Sequence, residues 1–566
     1  MTANETNKRQ IAEIMRNARP FAPQWNEGIE KSKSRARAKG SKRDTTQMQT
    51  GDDTSAADGE PSAEAPDLSS AGSGQGARPR QFDVVLRVVA SWEFFHDRRR
   101  RPYARVPWAG HWETHALVST SFAYLLHHAV YSETSQALGA DVFNISLRHL
   151  SARAVLEGDE RTVYCRVARQ SPDVLLYDLG LPNWSYVRVV PGRWDIHHDR
   201  CPVEFERSDG MRPQAIPEPG GLINQVHQYW NTNDAGYMHL DGWLLGALRG
   251  EAPIPILKIS GSHGTAKSSL TRTLCSLIDP REPEMISLTR DVRDLVASVA
   301  NRFAVGINNT SRLSQEASDT LCRLASGEGV VSRQLHTNLG EVVTNHPNAL
   351  AVNGIAFDAA ADANSRMIAI ELQRIPDEAR VTETDFWKRF NADKPEILGA
   401  LFDAVATGLR RQHEVHIPAP PRLADYVTWV EACAPALGWE EGQYLALYAE
   451  NREQSARATL EADAVAVAIK NLVFGDPDAD NDAWRRGCDR WTGSATKLLE
   501  ELAQRIRGGG DAKLRENFLK SREWPANAAA LGKRIMRCIP LLYEAGIDVD
   551  KIHSGVTTWV ISRRAE

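Results

Sequence analysis

The run Ile256-Leu257-Lys258-Ile259-Ser260, followed by Gly261-Ser262-His263-Gly264-Thr265-Ala266-Lys267-Ser268-Ser269, constrains the fold more than any other stretch. A short β-rich run enters a glycine-containing loop, and the loop opens an apolar-periodic helix, SSLTRTLCSLI. In that order the loop has a physical meaning. Backbone N–H groups of the loop and of the helix N-terminus converge on a site that favours phosphate. In the pattern GxxxxGK[ST], the lysine reaches the β- and γ-phosphates and the hydroxyl holds Mg2+. Lys267 and Ser268 occupy those places, so ATP and Mg2+ are the expected ligands of Gly261 through Ser269. Ala266 replaces the second glycine. Alanine is the smallest substitute, but it requires an unstrained φ there. The bland alternative, a chance Gly/Ser turn before a helix, must explain why strand, loop, Lys-Ser pair and helix all agree.

A phosphate loop alone does not hydrolyse ATP. A second strand should end in a carboxylate that orders the metal and a water. The run FAVGI (303–307) ends instead in Asn308-Asn309. Asparagine can hydrogen-bond to a metal-bound water, but it is uncharged and a poor base. Asp291, Asp294, Glu316 and Asp319 are nearby acids, and the sequence does not choose among them. Next, LCRLASGEGVVSRQLHTNLGEVVT reads as a β-hairpin carrying Arg333 and His336. The strand ALAV ends at Asn353, which either orients a water on the γ-phosphate or caps a turn. Arg366 precedes the strand MIAIEL, as an arginine finger to a neighbouring subunit or as a surface ion-pair partner.

The chain has 566 residues, enough for two to four domains. Its net charge of −5 argues against a binder that is basic throughout, yet the charge is uneven. Residues 1–45 hold 11 Lys/Arg and 5 Asp/Glu, and residues 481–566 hold 16 and 11, which leaves −16 between them. Residues 1–80, basic then Ser/Gly/Ala/Pro-rich and acidic, lack the apolar content for a core and are expected to be a disordered tail, either solvated or a basic arm on nucleic acid. Residues 81–221 mix helices with successive strands (162–206), an expected α+β domain. Residues 222–475 carry the loop and end in a helical stretch. In residues 476–566, the helix ATKLLEELAQRI is followed by the helix NAAALGKRIMRCIPLLYEAG and the alternating run DVDKIHSGVTTWVIS. Helix, helix and wing suggest a winged helix whose Lys533, Arg534 and Arg537 face duplex DNA, or else a module for protein contacts. No apolar run is long enough for a membrane span, no signal core is visible, and seven scattered cysteines fit reduced thiols, so a cytoplasmic location is expected.

The chain resembles the AAA+ P-loop ATPases of phages, plasmids and integrated elements, of the primase-associated and superfamily 3-like helicase type. The resemblance rests on ISGSHGTAKSSLTRTLCSLIDP, TRDVRDLVASVANRFAVGINN, SDTLCRLASGEGVVSRQLHTN, LAVNGI and NSRMIAIEL, and continues through PRLADYVTWVEACAPALGW. FFHDRRRRPYARVPWAGHWETHAL is similar to the region that accompanies this ATPase, so the likeness covers most of 82–565. It implies an α/β AAA+ core between an N-terminal α+β domain and a C-terminal winged helix. It also implies a homo-oligomeric ring, such as a hexamer, with single-stranded DNA in its channel. By matching position it makes Lys267 and Ser268 nucleotide residues, Asn353 the sensor, Arg366 the finger and Arg333 a DNA contact. Ala266 and Asn308 depart from the pattern. No primase carboxylate set stands out in 82–220.

Three functions compete: a DNA motor driven by ATP, a nucleotide-binding switch for assembly or phage defence with little hydrolysis, and a DNA-binding scaffold. Weaker signals are His111 and His115, spaced for one helix face, the run His197-His198-Asp199-Arg200-Cys201, and the cluster Arg98–Arg101.

Overall fold

A computed structural model describes residues 80–564, apart from 290, 329–330, 334–340, 344–345, 356, 358, 477–481, 508–511, 522 and 555. Five short apolar runs form its central sheet: Ile256–Ser260 (β1), Met285–Ser287 (β2), Ala304–Asn308 (β3), Ala349–Asn353 (β4) and Met367–Glu371 (β5). All neighbours are parallel, in the order β2-β3-β4-β1-β5. Parallel sheets are covered on both faces, and β4 (ALAVN) is buried at every position. Side chains alternate between two cores. Leu257, Ile259, Ala351 and Ile370 enter one cluster, while Ile256, Val305, Leu350 and Val352 enter the other.

Helices flank the sheet directly or through one another: Asp234–Leu248 (α1), Lys267–Ile278 (α2), Val292–Val299 (α3), Gln315–Ala325 (α4), Glu383–Arg411 (α5), Ala424–Cys433 (α6) and Gln443–Ala462 (α7). α1 is buried from His239 to Leu248, and its buried Asp241 keeps a partner in His227 at 2.8 Å. Its Trp243 donates its indole N–H to Pro255 O at 3.0 Å, so the buried ring keeps a partner. α3 and α4 pack on the second cluster through Leu295, Val299, Leu321 and Leu324.

Ahead of this core, three antiparallel strands, Glu93–His96, Pro102–Trp108 and His111–Ala116, pack with helices Gln81–Val88, Thr120–Thr134 and Ala140–Leu156 around their own core, which includes Val85, Phe122 and Leu150. His111 and His115 therefore lie on a strand, not on a helix. A four-stranded antiparallel meander follows, Val167–Ser171 to Arg193–His197. Its Leu175, Tyr177, Val187 and Val189 share one apolar cluster with Trp243 and Phe402, so a single core runs across position 221. Arg166 and Asp279 join the two parts at 3.0 Å, both fully buried.

At the other end, helix Ala464–Phe474 (α8), strand Arg490–Gly493, helices Ala495–Arg507 (α9), Ala512–Leu519 (α10) and Ala528–Glu544 (α11), and the paired strands Ile547–Ser554 and Val556–Arg563 follow one another. Their core joins Leu472, Leu498, Leu502, Leu531, Ile535 and Trp559, and it begins at Leu460. The fold is mixed α/β around a parallel sheet. Among the described residues no helix is long and apolar enough to cross a membrane.

Candidate functional site

β1 lies between β4 and β5, so the loop after Ser260 leaves from within the C-terminal edge of the sheet. That edge is where open α/β sheets bind ligands. The loop turns through Gly261, Gly264 and Ala266, with φ of +152°, +76° and +61°. A Cβ on Gly261 would lie 2.9 Å from Leu372 O and from Thr265 Oγ1, so only glycine fits. Ala266 does not have the unstrained φ its identity calls for. It sits in the left-handed region, at a cost of about 1–2 kcal/mol for a residue with a Cβ. It is the N-cap of α2 and gives no side-chain bond, so the first-turn N–H groups are left for a ligand.

Lys267 folds back over the loop. Its Nζ donates to Gly261 O at 2.8 Å, to Ser262 O at 2.6 Å and to Thr265 Oγ1 at 3.4 Å. Desolvation lowers its pKa. Thr265 Oγ1 donates to Ser262 O at 3.0 Å, and Ser262, His263 and Gly264 are exposed at the tip. Ser269 is half-buried on the first turn.

The tips of two more strands meet this turn. Ser268 Oγ donates to Asn308 Oδ1, at the end of β3, at 3.0 Å. Asn353, buried at the end of β4, donates from Nδ2 to Thr271 Oγ1 at 2.8 Å and accepts from Asn309 N at 3.1 Å. Thr271 Oγ1 in turn donates to Lys267 O at 2.9 Å. Both ends of the Asn353 amide are thus engaged inside the protein. Of the alternative acids, Asp291 caps α3 through Arg293 N and Asp319 accepts from Gln315, so each is tied to its own helix. The loop, Lys267, Ser268, Asn308 and Asn353 therefore form one cluster. Chemically it sets one ammonium beside the uncapped N-terminus of α2, an arrangement suited to a polyanion.

Arg366 is elsewhere. It precedes β5, whose far end lies at the loop, and so stands at the opposite edge of the sheet. Its guanidinium donates to Ser326 Oγ at 2.9 Å and lies 3.6 Å from Asp362. Arg333 ends the strand Val331–Arg333, which pairs antiparallel with Glu341–Val343 as the expected hairpin. His336 and the basic N-terminal arm lie outside the described residues. On α11, Lys533 and Arg537 are exposed. Arg534 does not join them on that face: its guanidinium pairs with Asp463 at 3.1 Å and donates to Glu523 O.

One residue near the loop carried no sequence signal. Arg380, in the segment after β5, has a guanidinium N only 3.0 Å from where a Cβ on Gly264 would be, and it pairs with Asp377 at 3.2 Å. No local motif marks it. The weaker signals resolve as internal bonds. His111 and His115 each reach Glu113 at 2.8 Å. Burial pushes the Glu113 carboxyl up, and the two imidazoles outweigh it and hold the pKa low. His198 bonds to Ser185 Oγ at 2.7 Å, and Arg101 pairs with Asp97 at 2.7 Å. No cluster of three metal-ligating side chains occurs among the described residues.

Residues 225–444 match the family model described as "Actinomycete integrative conjugative element replication protein". Residues 465–566 match the model described as "AICE RepA C-terminal domain". No curated protein matches the chain. Among solved structures, the A-form apo structure of the NrS-1 C-terminal region aligns at 12% identity and a TM-score of 0.36, over 86% of this chain and 99% of that one. The Aeropyrum pernix ORC1 protein in complex with DNA aligns at 13% identity and a TM-score of 0.19, over 59% and 90%. Likenesses of that degree decide neither fold nor function. In the sheet core and in the C-terminal unit, the chain is thus similar to a replication protein of a mobile element, the actinomycete integrative conjugative element.

Proposed function

We propose that the chain is an ATP-dependent, DNA-binding motor, helicase-like, that serves replication of a mobile genetic element. The observation that carries this is the meeting of three strand ends at one loop: Lys267 and Ser268 after β1, Asn308 at β3 and Asn353 at β4. Strand, glycine loop and helix at the C-terminal edge of a parallel sheet is the P-loop arrangement, and it supports the AAA+ reading.

The residues fit a nucleotide triphosphate. Lys267 Nζ is held by oxygen acceptors of the loop, which phosphate oxygens can replace, and the uncapped first turn of α2 offers N–H donors. Mg2+ would be held by Ser268, and when bound it would supply positive charge to the phosphates. The partner of Ser268 is the neutral amide of Asn308, which adds an oxygen but no charge. That favours a second reading, a nucleotide-dependent switch with weak or no hydrolysis. Arg366 stands too far across the sheet to act on its own loop, which supports a finger role only toward a neighbouring copy in a ring.

For DNA, the hairpin with Arg333 is the proposed contact to a single strand. The C-terminal order of helix, strand, helices and paired strands supports a winged helix, with Lys533 and Arg537 toward duplex phosphates.

The test is ATP turnover with and without single-stranded DNA, for the wild type, Lys267→Ala and Asn308→Asp. DNA-stimulated turnover that is lost in Lys267→Ala supports the motor. ATP-dependent assembly without turnover, gaining turnover in Asn308→Asp, supports the switch. Absence of nucleotide binding refutes both and leaves the scaffold.

A further inference from the structure

Lys394 lies in α5, immediately before Pro395, and only 7% of it is exposed. No hydrogen bond or ion pair among the described residues engages its ammonium. An isolated buried charge is costly, and such groups are normally paired. Burial pushes the Lys394 ammonium down to about 7; the charge of Arg166 adds to this and Glu284 opposes it.

The side chain lines a cavity of about 280 Å3 between α2 and the first half of α5. The charged lining groups are Arg212, Arg272, Asp279, Arg281, Glu284 and Lys394. Both acids are already matched. Glu284 is bonded to Arg272, and Asp279 pairs with Arg166 at 3.0 Å and with Arg281 at 3.3 Å. Arg212 has its own acid, Glu282, at 2.6 Å. The lining therefore carries more positive than negative charge, and Lys394 is its one cation without an ion-pair partner among the described residues. Asn391 also lines the cavity. Arg272 stacks on Trp387, another lining residue, at 4.5 Å, which fixes one wall.

We propose that this cavity binds a small molecule through a phosphate or carboxylate group, whose oxyanion supplies the counter-charge that Lys394 lacks. A charge-assisted bond to a cation that is itself largely buried is stronger than one at the open surface. The site is separate from the Gly261–Ser269 loop. Ser276, in its lining, is nine residues along α2 from Lys267, roughly 13 Å at the helical rise.

The test uses the full chain carrying Lys267→Ala, so that anions held at the glycine loop do not contribute. Calorimetric titration with inorganic phosphate and with acetate should give saturable one-to-one binding of at least one of them. Phosphate alone would assign a phosphate ester as ligand, and acetate alone a carboxylate. Adding Lys394→Met, which keeps the length of the side chain, should weaken binding roughly tenfold or more. Binding near pH 8 should also take up a proton, seen as a dependence of the heat on the buffer, and Lys394→Met should abolish it. The Cys275 thiol, pushed up to about 12 by burial, does not titrate there. Failure of both anions to bind, equal affinity in Lys394→Met, or binding without proton uptake each overturns the proposal.

Discussion

Replacing Ala266 by glycine should tighten the loop that alanine now closes. The residue sits at φ 61°, ψ 28° directly before α2. A Cβ in that region costs about 1–2 kcal/mol. Glycine removes the cost but gains freedom in the unfolded chain, which takes back about 0.5–1 kcal/mol. Ala266 makes no side-chain cap bond, so only a methyl group is lost. The net gain is about 0.5–1 kcal/mol. A melting curve of so large a chain would hardly register it. Amide hydrogen exchange at Leu270, whose N–H donates to Ala266 O at 2.9 Å, reads the opening of this turn directly, and the gain corresponds to exchange slowed roughly two- to fivefold. Ala266→Val should move the other way, because branched side chains tolerate positive φ worst. Unchanged or faster exchange in Ala266→Gly would refute the strain and, with it, the left-handed entry into α2.

Asp279→Asn leaves the buried Arg166 without its counter-charge and should destabilise the fold by about 3–5 kcal/mol, read as a lower Tm. Burial pushes the Asp279 carboxyl up, but Arg166 and Arg281 outweigh it and hold the folded pKa below 3.8. Its contribution is therefore present above the unfolded value and lost as pH falls through the folded one, an acid limb that Asp279→Asn should lack. Lys394→Met should stabilise, with the opposite pH profile. The folded pKa of about 7 lies below the unfolded 10.5, so the ammonium opposes folding in full below pH 7 and not at all above 10.5. The gain, on the order of a few kcal/mol, should be largest in mild acid and vanish in strong base; a pH-independent gain would exclude the charge as its cause. In the C-terminal unit, Arg534→Ala should cost about 1 kcal/mol of stability by freeing Asp463. Lys533→Ala and Arg537→Ala should leave stability alone and each lower the salt slope of DNA binding by about one; an unchanged slope would remove α11 from the interface.

The loop is legible in the sequence because its meaning is local: a β-rich run, a glycine turn and an amphipathic helix occupy consecutive residues. The hairpin at Arg333 and the paired strands near the C-terminus are legible for the same reason. The φ of Ala266 is not, since residue type states a preference and the surrounding bonds decide. His111 and His115 stand at helical spacing, yet a separation of four residues also returns to the same face of a strand. Arg534 stands at helical spacing from Arg537 in the sequence, but its partner Asp463 lies 71 positions away, beyond any periodicity, and draws it off that face. The single core across position 221 is hidden for a related reason. The alternation of the meander shows that one face is buried and cannot name Trp243 or Phe402 as what buries it.

α2 begins at the glycine loop, and its last turn is fastened from outside. Gln214 donates to Ser276 O at 3.1 Å and to Leu277 O at 3.0 Å, Tyr177 donates to Ile278 O at 2.7 Å, and Arg166 grips Asp279. A helix of 12 residues is a rod roughly 18 Å long. Anchored in this way, it has no joint at its base. An axial displacement of the loop must therefore carry the meander with it or break these bonds, so the two ends of α2 behave as one mechanical part.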